Sequence, residues 1–301
     1  MKPQPWLVQS AMLLTMLLWG VSFVASKAVL TEISPLTYMG IRFLIAAVLM
    51  AVIMALRGRP HFDRRTHGLI ALTALAEPVA YFLFESYGIR LVSATTASLV
   101  IATIPLAVMG LAALMLGEPL RWQGAIAVVV SLMGIALLVV GSGDTAAGST
   151  TGLGILLVTG AVFSAALYIT LARGLTQRYD RVNITIVQTW WGSGVFLALW
   201  RLQPTAGRSL AGLSPTGWWS IAFLAVGATV MAFLLYNWAL RYEEAGRASL
   251  YINAIPVVTA VTGWLVLDER LSGTQWIGAI LVLVSVRLSS RRTARFAPPE
   301  A

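Results

Sequence analysis

Acidic side chains are scarce in this chain, and two of them stand inside an apolar run. The stretch EPVAYFLFESYGIRL holds Glu77 and Glu85. Glu77, Tyr81 and Glu85 fall at i, i+4 and i+8, so a helix places them on one face. A charge inside an apolar span is costly and is a functional candidate by default. If the span begins near Thr66, Glu77 lies roughly 15 Å into it at 1.5 Å per residue, close to a bilayer midplane. A carboxyl at that depth can take up and release protons. One that alternately holds a proton and a cationic solute suits proton-coupled exchange. The bland alternative is a buried carboxyl bonded to a neighbouring helix and holding a kink at Pro78.

Arg42 lies in the preceding apolar run at a depth matching Glu85. The two are expected to pair, either as a gate or zwitterion site or as a fixed tie between helices. Lys27 falls near a span end, where its long stem is expected to snorkel to the interface. The later part of the chain has no acidic residue deep in a span. It offers aromatic and amide groups instead: Tyr168, Trp190, Trp191, Tyr236, Asn237, Tyr251 and Asn253. These could hold a polar solute or serve as interhelical bonds and interfacial anchors. Anchoring is the expected role for Trp218 and Trp219. Pro105 and Pro256 sit mid-span, where a missing N–H should kink the helix and supply a hinge or a bowed wall.

Other chemistries are poorly served. The 301 residues include no cysteine, so no disulfide or thiolate metal site is possible, and the two histidines, His61 and His67, fall in an arginine-rich loop. No metal site and no cofactor is expected. There is no G-x-x-x-x-G-K-[ST] phosphate loop. No Ser/His/Asp set falls on one plausible face, so an integral-membrane enzyme is the weaker reading.

These groups need a scaffold, and composition sets it. The chain is 58% hydrophobic and 11% charged, with mean hydropathy +0.82. Soluble chains carry about 25% charged residues. At about 20 apolar residues per span, ten spans are expected: 6–30, 35–56, 66–91, 94–116, 122–140, 153–175, 182–202, 216–241, 246–267 and 274–289. The first is expected to be retained rather than cleaved as a signal peptide. The net charge of +9 suits topology control better than nucleic acid. With ten spans, fifteen Lys and Arg residues fall on one side and five on the other. The positive-inside rule then puts both termini in the cytoplasm.

The scaffold is duplicated. Arg90–Leu120 recurs at Arg241–Leu271, an offset of 151 positions that superposes Ala97-Ser98-Leu99 on Ala248-Ser249-Leu250, Pro105 on Pro256 and Glu118 on Glu269. Those two glutamates lie at span ends and are expected to cap or to pair with loop arginines. At the same offset Glu77 meets Ala228 and Glu85 meets Tyr236, so the carboxyl chemistry belongs to the first half. Five spans per half is odd, so the second half enters the membrane inverted. The repeats are expected at 1–141 and 152–292, with an extracytoplasmic linker at 142–151 and a cytoplasmic tail at 293–301. Inverted repeats usually hold solute near the midplane between them.

The chain resembles the drug/metabolite transporter superfamily, in particular its two-repeat EamA-type members. The resemblance rests on Trp19-Gly20-Val21-Ser22-Phe23 with Lys27 following, on Ser34-Pro35 leading to Arg42, and on the repeated Ala-Ser-Leu, proline and Gly-Glu segments. The second repeat departs with Asp268-Glu269 for Gly117-Glu118. The resemblance implies an all-α fold of ten transmembrane helices in two five-helix repeats. It also implies export or uptake of small organic molecules without ATP. The expected protein is a proton-coupled exporter of small metabolites, amino acids or organic cations in the inner membrane. The alternative is an uncoupled facilitator or importer. Expected partners are a small-molecule substrate, protons and the lipid bilayer, with no nucleic acid. The chain is expected to work as a monomer or homodimer.

Overall fold

The computed structural model describes residues 3–116, 152–204, 210–242 and 251–290, with Ala248 and isolated positions between 126 and 140. Every regular element among them is helical. The first half supplies α1 (Pro5–Leu30), α2 (Pro35–Arg57), α3 (Arg64–Ala74), α4 (Tyr81–Leu91), α5 (Ala94–Ile101) and α6 (Ile104–Leu116). The second supplies α7 (Gly152–Arg178), α8 (Arg181–Leu202), α9 (Pro215–Phe223), α10 (Ala232–Leu240), α11 (Ala254–Leu267) and α12 (Gly273–Ser290). Wider π-helical turns at Leu75–Ala80 and Leu224–Met231 join α3 to α4 and α9 to α10.

Among the described residues seven helices are long and apolar enough to cross a bilayer, and Ala254–Leu267 and Gly273–Ser285 are shorter apolar helices. This is a multi-pass membrane protein. The expected count of ten is not reached among these residues. The fifth expected span, the linker, Glu118 and the start of the ninth span lie largely or wholly outside them.

Local chemistry sets the helix starts. Ser34, Asp63, Ser93, Asp180 and Ser214 each take the N-cap position and accept a backbone N–H of the first turn. Pro35 and Pro215 follow two of these caps, where the missing N–H costs nothing. Ser93 settles the division between the third and fourth spans, since its Oγ accepts from Thr96 N at 3.0 Å.

The duplication is visible in the defects. The π turn at Leu75–Ala80 and the one at Leu224–Met231 overlap at the 151-residue offset. So do the breaks at Ala102–Thr103 and Ile252–Asn253. Pro105 and Pro256 therefore lie in the first turns of α6 and α11, just after each break.

α1 of the first half packs closely on α11 of the second. A Cβ at Gly20 would lie 2.5 Å from Val258 Cβ and 3.2 Å from Ile255 O. The approach lets Thr259 Oγ1 donate to Gly20 O at 2.9 Å. Gly20→Ala must force these backbones apart. It is expected to cost about 1–3 kcal/mol, the range for overpacked cores, read as a lower thermal midpoint in detergent. An unchanged midpoint contradicts the close packing.

Candidate functional site

The site is built around a helix break at Glu77. Its backbone is extended (φ −147°, ψ 119°), flanked by helix on both sides. The following Pro78 offers no N–H to the ladder, so one turn cannot close. Beyond the break α4 restarts at Tyr81, and its face brings Tyr81, Phe82 and Glu85 to the space that Glu77 lines. The walls opposite come from α1 (Trp19, Ser22, Phe23), α2 (Arg42), the α5–α6 break (Ile101, Ile104), α7 (Ala165, Tyr168, Ile169), α10 (Tyr236) and the start of α11 (Ile252, Ile255). Both halves therefore build one cavity.

The cavity is closed in this conformation. Glu77 is 6% exposed, Glu85 2% and Arg42 1%. The space inside the cavity is about 30 Å³, enough for two or three waters at roughly 10–15 Å³ each. A metabolite needs the walls to part.

Of the residues singled out in the sequence, Glu77, Tyr81, Glu85, Arg42, Tyr168 and Tyr236 line this cavity. The expected direct pair of Arg42 with Glu85 is not formed. Arg42 Nε donates to Thr229 Oγ1 at 2.7 Å, and Nη1 donates to the Tyr38 hydroxyl, which also bonds Ser26 Oγ at 2.8 Å. The guanidinium lies over the Phe82 ring, 4.2 Å from its centroid, a favourable seat for a desolvated cation. Nearby hydroxyls outcompete the carboxylate for its donors. Arg42→Lys keeps the charge and loses the fork, since one ammonium cannot match the planar geometry. It is expected to lower stability by about 1–2 kcal/mol, one or two hydrogen bonds, with Arg42→Met lower still. Equal midpoints for the wild type and Arg42→Lys contradict this.

Glu85 is left under-satisfied. Its Oε1 takes one long bond from Tyr81 OH at 3.5 Å, while its Oε2 has no partner. Tyr236 OH on the facing wall is also buried without a partner. Among the described residues no hydrogen bond reaches the Glu77 carboxyl. Buried polar groups left unpaired cost about 1–3 kcal/mol each. This cavity therefore presents open acceptors and a free hydroxyl to whatever enters.

Other expectations fall elsewhere. Trp190 is 47% exposed and, with Trp191, edges an apolar surface groove beside His67. Tyr251 and Asn253 flank Ile252 at the α11 break but do not line the cavity, and Asn253 Oδ1 is buried without a hydrogen-bond partner. Lys27 does not snorkel: its Nζ donates to Ile89 O at 2.7 Å and Val92 O at 2.8 Å, capping the end of α4. Glu269 caps, as expected, but across the halves. Its carboxylate accepts from Ala94 N at 2.8 Å, Thr95 N at 3.0 Å and Thr95 Oγ1 at 2.8 Å. Sequence reasoning missed Trp19, whose Nε1 donates to Ala228 O at 3.2 Å. The signal was the 151-residue offset, which pairs Ala228 with Glu77 and so predicts a second irregular turn with displaced carbonyls. No group of three or more His, Cys, Asp or Glu side chains able to hold a metal occurs among the described residues.

Helices of spanning length around a closed, carboxyl-bearing cavity define a multi-pass membrane protein of the transporter class. The chain belongs to the EamA-like transporter family, whose model matches residues 6–140 and again 152–291. It is similar to an uncharacterized transporter of Archaeoglobus fulgidus, 30% identical over 95% of this chain and 99% of that one. It is also similar to a probable amino-acid metabolite efflux pump of Escherichia coli K12, 26% identical over 92% of each chain. A probable terminal-alkyne amino-acid exporter of Streptantibioticus cattleyicolor is 26% identical over 94% of this chain and 93% of its own. A protein of known crystal structure shares the fold, with TM-score 0.65 at 18% identity, over 94% of this chain and 96% of that one.

Proposed function

We propose that this protein exchanges protons for a small metabolite, an amino acid or an organic cation, exporting it across the inner membrane by alternating access. The observation that carries the reading is the pair of buried carboxyls, Glu77 and Glu85, facing one closed cavity with open hydrogen-bonding capacity. A carboxyl without a fixed partner can hold a proton in one state and a solute ammonium in another. Arg42 supplies a cation lining the same cavity for a solute carboxylate. Tyr81, Tyr168 and Tyr236, with Trp19, supply aromatic faces for an apolar body or an ammonium.

The scaffold reading goes with it. Ten spans in two inverted repeats (1–141 and 152–292, linked at 142–151) would exchange an inward and an outward opening around this site. Pro105 and Pro256, each just past a helix break, would serve as hinges. Both termini and the tail at 293–301 would be cytoplasmic. Because residues of both repeats line one cavity, a single chain is enough for transport. The printed names of two relatives, an amino-acid metabolite efflux pump and an amino-acid exporter, favour amino-acid-like solutes.

The test is proton release from purified protein in weak buffer as amino acids and organic cations are added in turn. One chemical class should release protons, and the same class should be transported after reconstitution. A solute that is carried without any proton signal would leave an uncoupled facilitator, with Glu77 a structural residue at its helix break.

A further inference from the structure

A second cavity lies at the α3–α7 end of the molecule. It is an open crevice of about 520 Å³ between the halves, walled by Asp63, Arg65, Thr66 and Thr73 on one side and Gly174, Arg178 and Tyr179 on the other. It shares no residue with the central cavity. A chain of hydrogen bonds connects them. Tyr168, which lines the central cavity, donates to Asn237 Oδ1 at 2.8 Å. Asn237 Nδ2 donates to Gln188 Oε1 at 3.3 Å and to Thr185 Oγ1 at 2.9 Å. Gln188 Nε2 donates to Thr73 Oγ1 at 2.8 Å, and Thr73 lines the crevice. All five side chains are buried.

We propose that this seam is the closed solute path between the central site and the crevice, lined by amides and hydroxyls for water and a small polar solute. The proposal rests on the transport reading above. Three features carry it. First, the seam runs from one cavity to the other, whereas a tie between helices needs a single bond. Second, Tyr168, Asn237, Thr185 and Gln188 belong to the second half and only Thr73 to the first. Parting the halves here breaks one hydrogen bond of the chain, Gln188 to Thr73, and leaves the lining intact. Third, Thr73 stands one turn before Glu77, so an opening at Thr73 leads to the carboxyl. Amides do not readily pass protons along a fixed chain, so the seam works by opening and admitting water.

The protein has no cysteine, so single thiols can be introduced without removing any. The probe is a membrane-impermeant, positively charged methanethiosulfonate applied to reconstituted protein. Gly174→Cys, on the crevice wall with open space around it, reports free access. Val48→Cys, on the outward face of α2, reports hydrocarbon. Thr73→Cys and Gln188→Cys should react at roughly 0.1–10% of the Gly174→Cys rate, the usual population of a minor conformation, and well above Val48→Cys. Ala172→Cys, on the Tyr168 face of α7 and outside the seam, leaves every seam bond in place and should follow the same pattern. Reaction at Gly174→Cys with Thr73→Cys, Gln188→Cys and Ala172→Cys no faster than Val48→Cys would overturn the proposal. So would reaction only from the side opposite the crevice. The series reads water access alone, so loss of proton coupling in a separate assay overturns the exchange reading without touching this result.

Discussion

Glu77→Gln is expected to remove nearly all proton-coupled transport while leaving solute-for-solute exchange. The substitution keeps the size of the side chain and removes its ability to release a proton. Net export linked to a proton should fall on the order of a hundredfold, the low end of what a positioned proton-transfer group contributes. Exchange of labelled for unlabelled solute needs only the two loaded states, so at saturating solute it should persist, with a higher KM because the amide no longer pairs with a solute ammonium. Glu85→Gln is expected to act differently. Glu85 already takes a bond from Tyr81 and lines the same cavity as Arg42, so its loss should weaken solute binding more than coupling. Assays of net flux and exchange on the same proteoliposomes separate these outcomes. Equal loss of both fluxes in Glu77→Gln at saturating solute would mean that Glu77 only supports the fold at the α3–α4 break.

Glu269→Ala is expected to give the largest loss of stability among simple substitutions. Glu269 closes the start of α5 with three hydrogen bonds from Ala94 and Thr95. Opposite it, Lys27 closes the end of α4 through Ile89 and Val92 carbonyls. The turn between these helices thus has an anion on its exposed amides and a cation on its exposed carbonyls, each matching the local helix dipole. The anion comes from the second half and the turn from the first, so the clamp also ties the repeats together. Alanine leaves the amides of the first turn unpaired in a place with little water. The expected loss is about 2–3 kcal/mol, a helix cap plus charged hydrogen bonds. Glu269→Gln keeps one acceptor oxygen and should fall between. Thermal midpoints in one detergent should rank wild type, Gln, Ala. A loss below about 0.5 kcal/mol for alanine, the scatter of ordinary surface changes, would contradict the clamp.

Much of this was legible in the sequence where a repeating rule applied. Hydropathy places spans because backbone polar groups must be satisfied within each helix. The 3.6-residue period put Glu77, Tyr81 and Glu85 on one face, and they share one cavity despite the π turn between them. The 151-residue offset foretold equivalent breaks near Pro105 and Pro256. Pairwise choices were not legible. Arg42 and Glu85 sit at similar depth, but Thr229 and Tyr38 present hydroxyls that only the folded chain brings to the guanidinium. Lys27 looked like a snorkelling residue because its distance from the interface was readable and the α4 carbonyls beside it were not. Trp190 faces outward for the same reason: depth follows from position in a span, and rotation about the helix axis follows from packing.

The most direct test of the account is uphill transport driven by a proton gradient alone. Reconstituted wild-type protein, given equal solute on both sides and a lower pH on the receiving side of export, is loaded with the solute class identified by proton release. Exchange predicts that solute accumulates on the acidic side against its gradient, that it stops when a protonophore collapses the pH difference, and that Glu77→Gln accumulates none. Equilibration to equal concentrations at every pH difference, in wild type and Glu77→Gln alike, would contradict proton exchange and leave a passive carrier.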